Sequence, residues 1–115
     1  MTAELKFLLG RTPSLTIADA PEGLDAMVIG DLARMSASGD GSGLVLHVAR
    51  DDARAAVISE ALRFFAPDVE VVNFPAWDCL PYDRVSPKPE ISAERMSALA
   101  RLAGRTEDHR PLVIL

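Results

Sequence analysis

The sequence predicts an α/β fold: a parallel sheet in three layers, with helices on both faces. Two observations carry this expectation. LVLHVA (residues 44–49) and VEVVNF (residues 69–74) are short, nearly continuous apolar runs, as expected of strands covered on both faces. The segments between such runs carry apolar residues at helical spacing, and strands alternating with helices imply parallel strands joined by right-handed crossovers.

Each element has its own warrant. SLTI (residues 14–17) is a short β-prone run. A helix follows, with Asp19 as its cap, Pro21 in the first turn and Glu22 at the positive end of the dipole. Leu24, Met27, Val28, Leu32 and Met35 form its apolar stripe. GDGSG (residues 39–43) stops it, and the strand at 44–49 begins. RDDARAAVISEALRFFAPD reads as the second helix, capped by Asp51 or Asp52 and closed by Pro67. Its expected stripe is Ala56, Val57, Ala61, Leu62 and Phe65. The strand at 69–74 leads into a proline-rich loop from Pro75 to Glu90. ISAERMSALARLAG is the third helix, with Ser92 and Arg95 near its start and Gly104 at its end. PLVIL opens the last strand, which runs to Leu115 with no exit, so the expectation is a piece of a longer protein.

Composition narrows the function. A chain of 115 residues, 49% hydrophobic and 25% charged, bounds one globular domain. A net charge of −5 disfavours a surface that grips nucleic acid, which needs clustered Lys and Arg. One cysteine excludes an internal disulfide. With no signal peptide and no bilayer-length apolar run, the chain reads as cytoplasmic, with no membrane partner.

The candidates for chemistry are few. GDGSG follows a helix and opens a strand, the reverse of a phosphate loop, and reads as a flexible connection. A phosphate loop belongs after the first strand, at APEGLDAM. There Gly23 matches the second glycine of G-x-x-x-x-G-K-[ST], but Leu24 replaces the lysine and Asp25 the hydroxyl residue. Lysine neutralises phosphate and the hydroxyl holds Mg²⁺, whereas Asp25 repels an anion. His47 sits in an apolar strand and His109 in a polar loop, with no zinc spacing to Cys79. No spacing gives Cys79 a base, so it reads as structural rather than nucleophilic. The expectation is therefore no catalytic, cofactor-binding or metal residue in this chain.

FPAWDCLPYDRVSPKPE leaves a strand at its carboxyl end, where α/β sheets bind ligands and partners. The loop is either folded over the helices with Trp77, Leu80 and Tyr82 as core anchors or a recognition surface, and Trp77 is expected to be an anchor. Tyr82, Asp83 and Arg84 remain open to an interface role. Arg95 has Asp78, Asp83 and Glu94 as candidate partners.

The loop and the helix after it resemble the N-terminal region of bacterial transcription-repair coupling factors (Mfd). The residues that carry the resemblance are Pro75, Trp77, Asp78, Leu80, Pro81, Tyr82, Asp83, Ser86, Pro87, Ile91, Arg95, Met96 and Leu99. The layout from about residue 14 to 115 agrees, behind a lead segment at 1–13. The same region is similar to the first domain of the excision-repair protein UvrB, where residues 45–74 look like the stretch holding helicase motif Ia. The resemblance implies a degenerate RecA-like half of a P-loop NTPase that has lost its phosphate loop, at Gly23, Leu24 and Asp25. It implies a non-catalytic, UvrB-like scaffold continuing beyond the C-terminus. The parent would be an ATP-dependent DNA translocase, with ATP and Mg²⁺ in its motor domains, that couples transcription to nucleotide excision repair. It would displace stalled RNA polymerase and recruit UvrA, mostly through an adjoining domain. RNA polymerase and DNA would be held by other domains, and this module would contact the rest of the parent and restrain the motor. The rival readings are an active nucleotide-binding domain and a free-standing flavodoxin-like binding module.

Overall fold

The structure is a computed structural model that describes residues 14–39, 41–105 and 109–115; the lead segment at 1–13 lies outside them. It is a mixed α/β fold in the order α1 (Leu24–Ser38), β1 (Leu44–Leu46), α2 (Asp52–Phe65), β2 (Glu70–Val72), α3 (Pro89–Ala103) and β3 (Leu112–Ile114). The three strands form one parallel sheet in the order β1-β3-β2. Strand β3 pairs with both others, in rows Leu44–Leu112–Glu70, Val45–Val113–Val71 and Leu46–Ile114–Val72.

Side chains alternate across a strand, so the rows face opposite layers. The Val45–Val113–Val71 row packs with α1 and α2 in a core of Ala26, Ile29, Ala33, Ile58 and Leu62. Glu70 belongs to the other face, and there Arg101 of α3 grips it with two hydrogen bonds of 2.7 and 2.6 Å. Helix α3 therefore lies opposite α1 and α2, as right-handed crossovers through a β1-β3-β2 order require. That third layer is thin, since Ala98 is the buried residue of α3.

Asp51 caps α2 by accepting the Arg54 N–H at 2.8 Å, as its sequence position predicts. Helix α3 starts at Pro89, earlier than expected, because proline suits a first helical position where no donor is needed. It ends at Gly104, as expected.

Four expectations are corrected. Residues 14–17 form no strand. Ser14 to Ile17 are exposed and unpaired with the sheet, and β propensity expresses side-chain packing that SLTI lacks here. Helix α1 starts at Leu24, not after Asp19. Asp19 and Gly23 both have positive φ, and the Leu24 N–H closes a turn onto the Pro21 carbonyl, so the chain reverses before the helix begins. Strand β1 stops at Leu46, with one further bond from His47 N–H to the Ile114 carbonyl. Beyond that the chain must turn to place Asp51 as a cap. The end of the GDGSG connection is closely packed, at Gly43. Gly43 is buried at φ +70, and a Cβ there would lie 2.4 Å from the His109 carbonyl oxygen.

Both helical stripes are also rotated from the expected ones. Helix α1 buries Ala26, Ile29, Gly30 and Ala33 and leaves Met27 exposed. Helix α2 buries Ile58, Ser59 and Leu62 and leaves Ala56, Val57 and Phe65 exposed. The cause is close helix approach. A Cβ on Gly30 would stand 2.8 Å from the Ala66 Cβ and 3.7 Å from Leu62 Cδ2, so position 30 has no room for a side chain, while Ile29, Ile58 and Leu62 fill the core around it. Met27, Val57 and Phe65 are left on its flanks.

Arg34 staples α1 to the turn between α2 and β2. Its guanidinium holds both carboxylate oxygens of Asp68, with Nε donating at 2.9 Å, and Nη1 reaches Asp31 at 3.3 Å. The pair is partly exposed, which limits it to about 1 kcal/mol. Arg34's hydrogen bond holds the Asp68 carboxyl below its usual range, and the Arg54 N–H followed by the Arg50 side chain does the same for Asp51. Lowered folded values mean stability present above the unfolded pKa, near 4, and lost as pH falls through the folded one.

Two outcomes follow from this packing. Gly30→Val should lower stability by about 2 kcal/mol or more, read as a reduced urea midpoint, because the seam cannot widen freely. Asp68→Asn should lower the midpoint slightly at neutral pH, and the gap from the parent should close in acid as Asp68 itself is protonated.

Candidate functional site

The carboxyl ends of all three strands and the first turn of α2 enclose a cleft of about 480 Å³. Its apolar lining includes Leu46, Val48, Ala55, Phe74 and Leu115, and its charged residues are Arg50, Asp51, Asp52, Glu94 and Arg95. The position follows from the topology, since every connection leaving the strands must turn there. His47, which the sequence placed in a strand, lines the cleft one residue past β1.

One wall is built around Arg95 on α3. Its Nη1 donates to the Pro75 carbonyl at 2.6 Å. Its guanidinium lies 4.0 Å from the centroid of the Phe74 ring and 4.2 Å from that of the Trp77 ring. Two aromatic faces thus supply electron density to one cation. The expected carboxylate partners of Arg95 are displaced by rings and a carbonyl. Asp78 instead accepts the Lys88 N–H at 3.3 Å, at the start of α3. Phe74 is a partner the sequence reading missed; its place at a strand end, immediately before the conspicuous loop, was the available signal.

The rest of the proline-rich loop faces outward. Trp77 is 50% exposed and Leu80 76%, while Tyr82 is fully exposed. The expectation that Trp77 plugs into the core is overturned, and of the two readings of the loop the one with Leu80 and Tyr82 as core anchors fails as well. The loop leaves β2 toward solvent, and the thin α3 layer offers no deep pocket to receive it. Tyr82 takes a positive φ of 69, in a turn closed by Asp83 N–H to the Leu80 carbonyl at 3.1 Å. Pro81, Asp83 and Arg84 are exposed beside it. Cys79 is a half-buried free thiol, and His109 is exposed. Among the described residues no group of three His, Cys, Asp or Glu could hold a metal ion, and no helix is long and apolar enough to cross a membrane.

Gly23, Leu24 and Asp25, where the sequence would place a phosphate loop, lie at the start of α1, with no strand before them among the described residues. Asp25 accepts the Ala26 N–H on Oδ1 at 2.8 Å, while its Oδ2 takes Arg54 Nη2 at 2.5 Å. Arg54 also reaches Glu22 at 3.4 Å. A carboxylate of the chain therefore occupies the positive end of the helix, and the nearest guanidinium is already paired with it.

Because Trp77 stacks rather than sits buried, Trp77→Ala should cost about 1 kcal/mol, a cation–π loss, and not the 3–5 kcal/mol of a buried tryptophan. Arg95→Met should shift the emission of Trp77, the sole tryptophan, with a similarly modest fall in the urea midpoint.

Compared with protein-family models, curated proteins and solved structures, the chain finds no match.

Proposed function

We infer that this chain is a non-catalytic α/β scaffold module, a degenerate RecA-like half akin to the N-terminal UvrB-like part of bacterial transcription-repair coupling factors. The observation that carries the reading is the start of α1. Leu24 brings no charge where a phosphate loop has its lysine, and Asp25 puts a carboxylate on the helix N-terminus and locks it to Arg54. The residues present do not fit a nucleotide triphosphate. An anion would have to displace an internal ion pair and face Asp25 and Glu22.

The second support is the loop phrase from Pro75 to Leu99, which the resemblance makes a family signature. Its exposed Leu80, Pro81, Tyr82 and Arg84 suit contacts with protein surfaces better than chemistry. In a parent of this kind, separate motor domains would use ATP to move on DNA and displace stalled RNA polymerase. This module would contribute to recruiting UvrA and restraining the motor.

Calorimetric titration with Mg-ATP tests the non-catalytic part, with no saturable heat expected; saturable micromolar binding would overturn it. Deleting residues 14–115 from the genomic copy tests the rest. Preferential repair of transcribed strands should be lost, and unchanged strand bias would contradict the coupling-factor reading.

A further inference from the structure

We propose that the cleft at the carboxyl end of the sheet is a docking site for a partner-protein segment that presents an apolar side chain beside a lysine or arginine. The volume, about 480 Å³, lies in the range of sites that bury a small ligand or a few side chains. The lining from Leu46, Val48, Ala55, Phe74 and Leu115 favours an apolar insert.

The charges decide what flanks that insert. Arg50 is held by Asp51 at 3.0 Å, and Asp51 also accepts the Arg54 N–H. Arg95 is committed to the Pro75 carbonyl and two aromatic rings. Asp52 and Glu94 are left, both exposed and neither in a hydrogen bond or ion pair among the described residues. Both cations of the cleft are engaged, and its uncommitted charges are carboxylates. The chain's net charge of −5 adds to the same field. A nucleotide or a phosphate backbone would be repelled, whereas a basic side chain would meet carboxylates while its aliphatic stem covers apolar surface. This inference rests on the cleft alone and stands whether or not the coupling-factor reading does.

The test uses N-acetyl-leucyl-arginine amide as probe and N-acetyl-leucyl-glutamate amide as control, titrated into the isotope-labelled chain at low salt. The arginine peptide should bind in the millimolar range, with amide shifts concentrated in residues 46–52 and 73–76 and a change in Trp77 emission through Arg95. Asp52→Asn with Glu94→Gln should weaken it by about three- to tenfold while leaving the remaining spectrum in place, and higher salt should weaken it likewise. Equal binding of both peptides, no binding of either, or shifts away from the cleft would overturn the proposal. So would Mg-ATP or a single-stranded oligonucleotide moving the same amides.

Discussion

The structure depends on its last strand taking the central place in the sheet. Strand β3 (Leu112–Ile114) hydrogen-bonds to β1 on one side and β2 on the other, and Leu112 and Val113 are completely buried. Without it β1 and β2 are not neighbours, and each would be a lone three-residue strand. The Gly43 carbonyl accepts the Leu112 N–H at 2.8 Å, the Leu115 N–H reaches the Val72 carbonyl at 3.0 Å, and the Phe74 N–H returns to the Leu115 carbonyl at 2.7 Å. These bonds run past both ends of the strand, so β3 also fixes where the loops leave the sheet.

The cleft inherits its form from that constraint. Residues after β1, after β2 and at the end of β3 converge there because the strands are parallel and in register. Phe74 is pinned by Leu115, and on Phe74 rests Arg95, which in turn carries Trp77. The proline-rich loop is thus attached to the sheet by a stack of rings and one guanidinium instead of by a buried anchor. Its outer half stays available, with Tyr82 held outward by a left-handed turn that a tyrosine rarely adopts.

What the sequence made legible were features written in single residues or in continuous runs. The three observed strands, the Asp51 cap and the Gly104 stop are of that kind, as is the parallel order that alternating elements impose. The misses share a physical origin in tertiary packing. The buried faces of α1 and α2 differ from the expected stripes because the helices approach closely at Gly30 and Ala66, which turns Ile29, Ile58 and Leu62 inward and leaves Met27, Val57 and Phe65 exposed. SLTI has strand-like residues and no neighbouring strand to pair with. Trp77 was expected inside because tryptophan is large and apolar, yet Arg95 gives it a partner at the surface. At the site, the absence of a phosphate-loop lysine and hydroxyl at Leu24 and Asp25 can be read from the residues alone, whereas the pairing of Asp25 with Arg54 needed the fold, as did the convergence of Asp52 and Glu94 on one cleft.

The most direct measurement of this account is amide hydrogen exchange across the folded chain. If β3 holds the sheet together, the amides of Leu112, Val113, Ile114 and Leu115 should exchange as slowly as that of Leu62 in the core of α2, through global unfolding alone. Fast exchange at β3 with continued protection of α1 and α2 would contradict it, because the helices would then be stable without the strand on which their core is said to rest.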